Sequence, residues 1–222
     1  MQMYNRALTN SEIKQNFNAQ ASRFQFPRSI VTDGLVLNLD AGNPGSYPGS
    51  GTTWYDLSGN GNDHNINGSP TFSNGVFTIN ETQTFTRSSM PTNNTTCTVV
   101  VVYKTTDAQE LWVRGNTTNY YIAASYSGQP NYYSANSGSP TYYVDTLQTT
   151  SPTTPIQYKN GNYHMFEAKN VNFSLWNQLN WWGYGGSWNM NGTVAKIMIY
   201  DRNLTASESA QNFRVQRERF GI

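Results

Sequence analysis

The chain has 222 residues, a net charge of +1 and 12% charged residues, about half the usual ~25%. With no Lys/Arg block, phosphate neutralisation is not available as a binding mode, so nucleic acid is not an expected partner. No run of about 18 apolar residues exists to cross a membrane as a helix, and a single cysteine, Cys97, rules out an internal disulfide.

In chain order, the first element is "MYNRALTNSEIKQNF" from Met3. Thr9-Asn-Ser-Glu12 has the spacing of a capping box, in which the threonine oxygen and the glutamate satisfy each other's backbone amides. Ile13, Phe17 and Phe24 then fall near one helical face. The N-terminus lacks the basic-then-apolar pattern of a signal peptide. Pro27 marks a boundary between an N-terminal segment, 1–30, and a body, 31–222. "GLVLNLDAG" alternates Leu35, Leu37 and Leu39 against Val36, Asn38 and Asp40, as a strand would.

"TFSNGVFTIN" carries Asn74-Gly75, a strong hairpin signal, between apolar runs. "TTCTVVVVYK" predicts a buried strand with Cys97 as a small apolar filler rather than a nucleophile. "ELWVRG", "YYIAASY" and "TYYVDTL" follow as strands, and 148–155 reads as a loop. Asn160-Gly161 predicts a further hairpin before "NYHMFEAKN", and "NGTVAKIMIYDR" a last buried strand. Short strands punctuated by Gly, Pro and Asn predict an all-β fold, a two-sheet antiparallel jelly-roll sandwich with a short helix at each end.

The last element repeats the first at an offset of 196 residues. Tyr4, Arg6 and Leu8 meet Tyr200, Arg202 and Leu204. Thr9, Ser11 and Glu12 meet Thr205, Ser207 and Glu208, and Gln15, Asn16 and Phe17 meet Gln211, Asn212 and Phe213. This is one unit used twice: a strand end, a turn through Arg-x-Leu and a capped amphipathic helix. The first copy has almost no strand before it. It is expected to be a remnant or duplicate of a module's closing unit, serving as an anchor or a join to a neighbour.

Two stretches carry a family resemblance. "GLVLNLDAGNPGSYPGSGTTWYDLSGNGNDHNING" resembles the opening of laminin-G-like domains of the concanavalin A-like lectin/glucanase superfamily, through Asp40-Ala41-Gly42 and Trp54-x-Asp56-x-Ser58-Gly59-x-Gly61. "WWGYGGSWNMNGTVAKIMIYDRNLTASE" resembles its closing segment. The variant is most similar to modules of tailed-phage virion proteins. That resemblance implies a capsid-decoration or fibre component on the virion surface, assembled in the host cytoplasm, with other virion proteins and further copies of itself as partners. Lys196 departs from the pattern, since many relatives carry an acid there; the departure implies that a charge pairing typical of the family is absent.

Two groups of residues are candidates for binding. Asp40, Asp56 and Asp63 would offer oxygen ligands to calcium, which some laminin-G-like domains bind. The same loop reads as a tight turn in which Asp and Ser accept nearby amides, and this second reading is preferred because the spacing matches no EF-hand. Tyr121, Tyr133, Tyr143, Trp181, Trp182, Tyr184 and Trp188 would stack on sugar rings beside Asn and Gln. They equally suit a core and a protein interface.

Catalysis is not expected. The glutamates are isolated in sequence, whereas a retaining glycosidase needs two carboxylates ~5–5.5 Å apart. His64 and His164 each stand alone, and no nucleophile elbow or zinc spacing occurs. The expected function is a non-enzymatic virion structural protein with glycan binding. The alternative is a carbohydrate-binding adhesin module of a bacterial surface protein, with a glycoside hydrolase a more distant third.

Overall fold

A computed structural model describes residues 4–21, 29–80, 82–106, 110–115, 120–125, 133–135, 137–149, 159–182 and 191–222. Among them, the strands form two antiparallel sheets and the helices are two. The first sheet contains β1 (Leu35–Asp40), β4 (Thr71–Ser73), β5 (Val76–Ile79), β7 (Cys97–Thr105), β11 (Gly138–Val144), β12 (Leu147–Thr149), β13 (Tyr163–Val171) and β15 (Gly192–Tyr200). Its order is β12-β11-β13-β7-β15-β5-β4, and β1 also pairs with β15. The second sheet contains β2 (Thr53–Trp54), β3 (His64–Asn67), β6 (Thr84–Arg87), β8 (Glu110–Arg114), β9 (Tyr121–Ser125), β10 (Tyr133–Ala135) and β14 (Leu179–Trp181). Its order is β10-β9-β8-β14-β6-β3-β2. The fold is the predicted all-β sandwich.

The two sheets share one core. Leu37 and Leu39, Phe77, Val99 and Val101, Phe166 and Ile197 come from the first sheet; Trp54, Phe85, Val113, Ile122 and Trp181 come from the second. Alternation along each strand accounts for this. In β7 the valines divide: Val99 and Val101 face the sheet interface, while Val100 and Val102 face a second apolar cluster on the other side. That β7 and β15 are buried on both faces explains their unbroken apolar runs. Cys97 is buried as expected, and burial pushes its thiol up to about 12.

Of two turns, one matches expectation and one does not. Asn74 and Gly75 both have positive φ and join β4 to β5 as a tight hairpin, as predicted. "TYYVDTL" is not one strand. It breaks at Asp145 and Thr146, with φ of 50° and 71°, and folds back as the β11–β12 hairpin. Asp145 tolerates this conformation because its carboxylate accepts from the Met165 amide and meets His164 Nδ1, while its own amide donates to Met165 O. Much of the predicted 148–155 loop, and the residues before Asn160-Gly161, lie outside the described residues.

α2 (Ala206–Phe220) closes the first sheet's outer face. Its start is the predicted capping box: Thr205 Oγ1 accepts the Glu208 amide and Glu208 returns to the Thr205 amide. Phe213 and Phe220 are half-buried against the second apolar cluster, and the fully buried residues of the helix are Ser209, Asn212 and Gln216. Two of these polar residues, Ser209 and Asn212, satisfy buried polar groups of the body. Asn212 Oδ1 accepts the Val31 amide while its Nδ2 donates to Tyr200 Oη, which itself donates to Val31 O. Ser209 Oγ donates to Glu167 Oε1 at 2.8 Å.

α1 (Asn10–Ala21) opens with the same cap, with Thr9, Ser11 and Glu12 in the same bonds as Thr205, Ser207 and Glu208. The Arg6–Glu12 pair repeats Arg202–Glu208.

Candidate functional site

The second sheet reads as two parallel rows once its registers are joined. On the inner side Ile66, Phe85, Trp181, Val113 and Ile122 are successive cross-strand partners, all buried. One residue along each strand, Thr53, Asn65, Thr86, Asn180 and Arg114 are likewise successive partners. Period-two alternation places this second row on the outer, solvent side, where each residue is half-buried or exposed. Tyr121 occupies the next register position, opposite Arg114. At about 4.8 Å per strand the row from Thr53 to Arg114 crosses roughly 19 Å.

The row is hydroxyl, amide, hydroxyl, amide, guanidinium. Asn67 lies beside it on β3, and its Nδ2 donates to Thr84 Oγ1 at 3.2 Å and Thr86 Oγ1 at 3.0 Å, fixing those hydroxyls. Asn180 Oδ1 is buried and accepts no hydrogen bond. A surface of this kind presents donors and acceptors at fixed spacing on rigid strands with little net charge. It suits a ligand rich in hydroxyls. Beneath it, His64 Nδ1 lies 3.0 Å from Asn62 O, and its Nε2 accepts from the Trp181 indole at 3.1 Å. Burial lowers the His64 pKa to about 4, so it is a neutral strut, not a general base.

Among the described side chains, the sequence-predicted aromatic residues Tyr143, Trp181 and Trp182 do not form one exposed cluster. Trp181 and Trp182 are 0% and 1% exposed and pack in the core, Trp182 edge-on to Phe85. Their faces are taken by neighbouring rings, so the expectation that they stack on a sugar is corrected. Trp176 is likewise core, against Phe173. Tyr143 lies on the first sheet, half-buried, with Lys169 Nζ over its ring at 5.0 Å. Tyr121 and Tyr133 stand on β9 and β10, and Tyr184 and Trp188 lie outside the described residues.

The three aspartates do not form a cation site. Asp56 accepts the amides of Asn38, Ser58 and Asn62 and the Ser58 hydroxyl, and Asp63 accepts the Asp56 amide. These are the bonds of the tight-turn reading. Asp40 lies elsewhere, between Lys196 Nζ at 3.0 Å and Arg219 Nη1 at 2.7 Å. Burial alone would raise its pKa, but the two cations hold it below the usual carboxylate range. Position 196 thus enters a charge pair of its own, with lysine as the cation and Asp40 as the acid. This also explains Asp40-Ala41-Gly42. A Cβ on Gly42 would stand 1.8 Å from Arg219 Nη2, so the glycine leaves room for the guanidinium in its present position and any side chain there would displace it.

The Thr53–Arg114 row was missed because its strands are two to five residues long. "HNIN" and "TFTR" do alternate, but over too few residues to mark a strand without the pairing.

No protein-family model matches the chain, and no curated protein matches it. Among solved structures it is similar to domain 4 of AbnA, a GH43 extracellular arabinanase from Geobacillus stearothermophilus, in complex with arabinotriose. Identity is 14%, with a TM-score of 0.50 over 80% of this chain and 97% of that one. It is also similar to Trypanosoma rangeli sialidase in complex with the inhibitor DANA, at 14% identity and a TM-score of 0.51, over 91% of this chain. The chain spans only 37% of the sialidase. At these identities the likeness is one of fold, and it agrees with the sandwich architecture that the laminin-G-like resemblance implied. None of these structures links the chain to a phage.

Proposed function

We propose that this chain is a non-enzymatic carbohydrate-binding module whose sugar platform is the outer face of the second sheet. The observation that carries the reading is the Thr53–Asn65–Thr86–Asn180–Arg114 row, a strip of uncharged hydrogen-bonding groups ending in one cation. Asn180, half-buried between Thr86 and Arg114, supplies the second amide of the strip. Tyr121 holds the register position next to Arg114, on β9, and Tyr133 lies on the adjoining β10.

The absence of catalysis is supported by what the described carboxylates do. Glu12 and Glu208 close helix caps against Arg6 and Arg202, and Glu167 lies under α2 with Ser209 and Lys169. The arabinanase domain of similar fold was solved with arabinotriose, which makes a pentose oligosaccharide a sensible first probe. A glycan array and isothermal titration should find at least one oligosaccharide bound, and Asn180→Ala with Thr86→Ala should abolish that binding without changing the melting temperature. No binding to any sugar would remove the proposal.

A second reading, a virion decoration or fibre module, is favoured by the laminin-G-like stretch around Asp40-Ala41-Gly42 and by its likeness to phage modules. It is compatible with sugar binding. Mass spectrometry of purified virions would test it, and absence of the chain from the particles would end it.

A further inference from the structure

The two copies of the closing unit agree at most positions that dock the second copy to its body and differ at several exposed ones. In the second copy, four polar residues hold the body. Gln211 Nε2 donates to Ser29 O, Asn212 binds Val31, Tyr200 donates to Val31 O, and Arg219 clasps Asp40. The first copy carries the same residue at each of these positions: Gln15, Asn16, Tyr4 and Arg23. The apolar contacts Leu204, Phe213 and Phe220 are matched by Leu8, Phe17 and Phe24. By contrast, the exposed Ala206, Arg217 and Glu218 correspond to Asn10, Ala21 and Ser22. A helix under no demand to dock would not keep its body-facing set while its solvent-facing set changes.

Yet in this structure two described residues of the first unit are more exposed than their counterparts in the second. Tyr4 is 48% exposed where Tyr200 is 0%, and Ile13 is 52% exposed where Ser209 is 5%. Ile13 is also the informative mismatch. Ser209 Oγ donates to the buried Glu167. An isoleucine there would strip a hydrogen bond from a carboxylate and add bulk at a filled position. The first unit therefore fits a body like this one, but not this body.

We propose that residues 3–24 close a sister β-sandwich of the same architecture, distinct from the body of this chain. The partner is defined by chemistry. It presents an acid at the position of Asp40 for Arg23, followed by a glycine that leaves room for the guanidinium. It presents a backbone N–H and C=O pair at the position of Val31 for Asn16 and Tyr4. At the position of Glu167 it carries an apolar residue for Ile13. The unit is thus a joint, through which one module of this kind is completed by a segment that leads directly into the next.

The test fuses residues 29–198 ahead of Met3 of the chain, so that the added upstream body can be closed only by residues 3–24. A control fuses residues 29–222 ahead of residue 25, so that the upstream body keeps its own helix. Hydrogen exchange on the upstream β7 and its closing helix reads the result. Glu167→Leu in the upstream body, or Ile13→Ser against the native Glu167, should each give protection like the control's. The mismatched pair, Ile13 with Glu167, should be about tenfold less protected, and adding Asn16→Ala to either matched chain should cost a further loss of about tenfold. An upstream body that exchanges as an unfolded chain in both matched versions, beside a protected control, would overturn the proposal. So would a mismatched pair as well protected as the matched ones. Sugar binding plays no part in this readout.

Discussion

The two outer faces of the sandwich are built to opposite ends. On the first sheet the outer face is apolar, with Val100, Val102, Met165 and Met198, and it is sealed by α2 and the segment around Val31. On the second sheet the outward row is Thr, Asn, Thr, Asn, Arg, and among the described residues no helix lies over it. Both sheets send aromatic and aliphatic side chains inward, so the difference lies wholly in the residues of opposite parity. One face is spent on stability, and the other is left able to hydrogen-bond. Sites that only position a ligand need this division, because a platform holds its geometry only if its underside is fixed.

The comparison can be broken first from the inside. Phe85→Ala removes a ring that touches Trp54, Phe77 and Trp182 and should cost about 3–5 kcal/mol in denaturant unfolding. Asp40→Asn attacks the sealed face. It leaves Lys196 buried without its anion and releases Arg219, and should cost about 3 kcal/mol. Changing Lys196 and Asp40 together to apolar residues should cost less than either alone, which a double-mutant cycle would show.

Acid should act next, and through the second sheet. The His64 pKa is lowered to about 4 from 6.5 because burial opposes its charge. The unfolded chain therefore binds the proton first as pH falls. The stability that neutral His64 contributes is complete above about pH 6.5 and is lost as pH falls towards 4, by about 3 kcal/mol at most. Equilibrium unfolding across that range, with His64→Gln for comparison, measures it. At the sealed face Thr205→Ala should cost about 1 kcal/mol by removing the α2 cap. Smallest in stability are the platform variants: Asn65→Ala or Thr86→Ala should shift unfolding by under about 0.5 kcal/mol while weakening sugar binding.

The fold was legible from sequence where burial is two-sided or chemistry is local. The valine run of β7, the Asn74-Gly75 turn and the Thr205–Glu208 cap announce themselves within a few residues. Where pairing decides, the sequence was silent. "LNW" and "TFTR" acquire an inside and an outside only when Trp181 meets Phe85 and Asn180 meets Thr86. Aromatic richness misled for a related reason: Trp181 and Trp182 look alike as sugar stackers and as core, and it takes the second sheet's register to bury Trp181 and a left-handed residue past the end of β14 to bury Trp182 beside it. The turn bonds of Asp56 and Asp63 were legible, but the place of Asp40 was not, because composition does not show that Lys196 and Arg219 reach it from elements more than 150 residues away.

The most direct test is titration of isotope-labelled protein with the oligosaccharides that score on a glycan array, followed by NMR. The platform account predicts that the perturbed amides cluster on β3, β6, β14 and β8, and that Asn180→Ala with Thr86→Ala erases the shifts while the spectrum stays folded. Shifts confined to the first sheet or to α2, or binding that survives the double substitution, would contradict it.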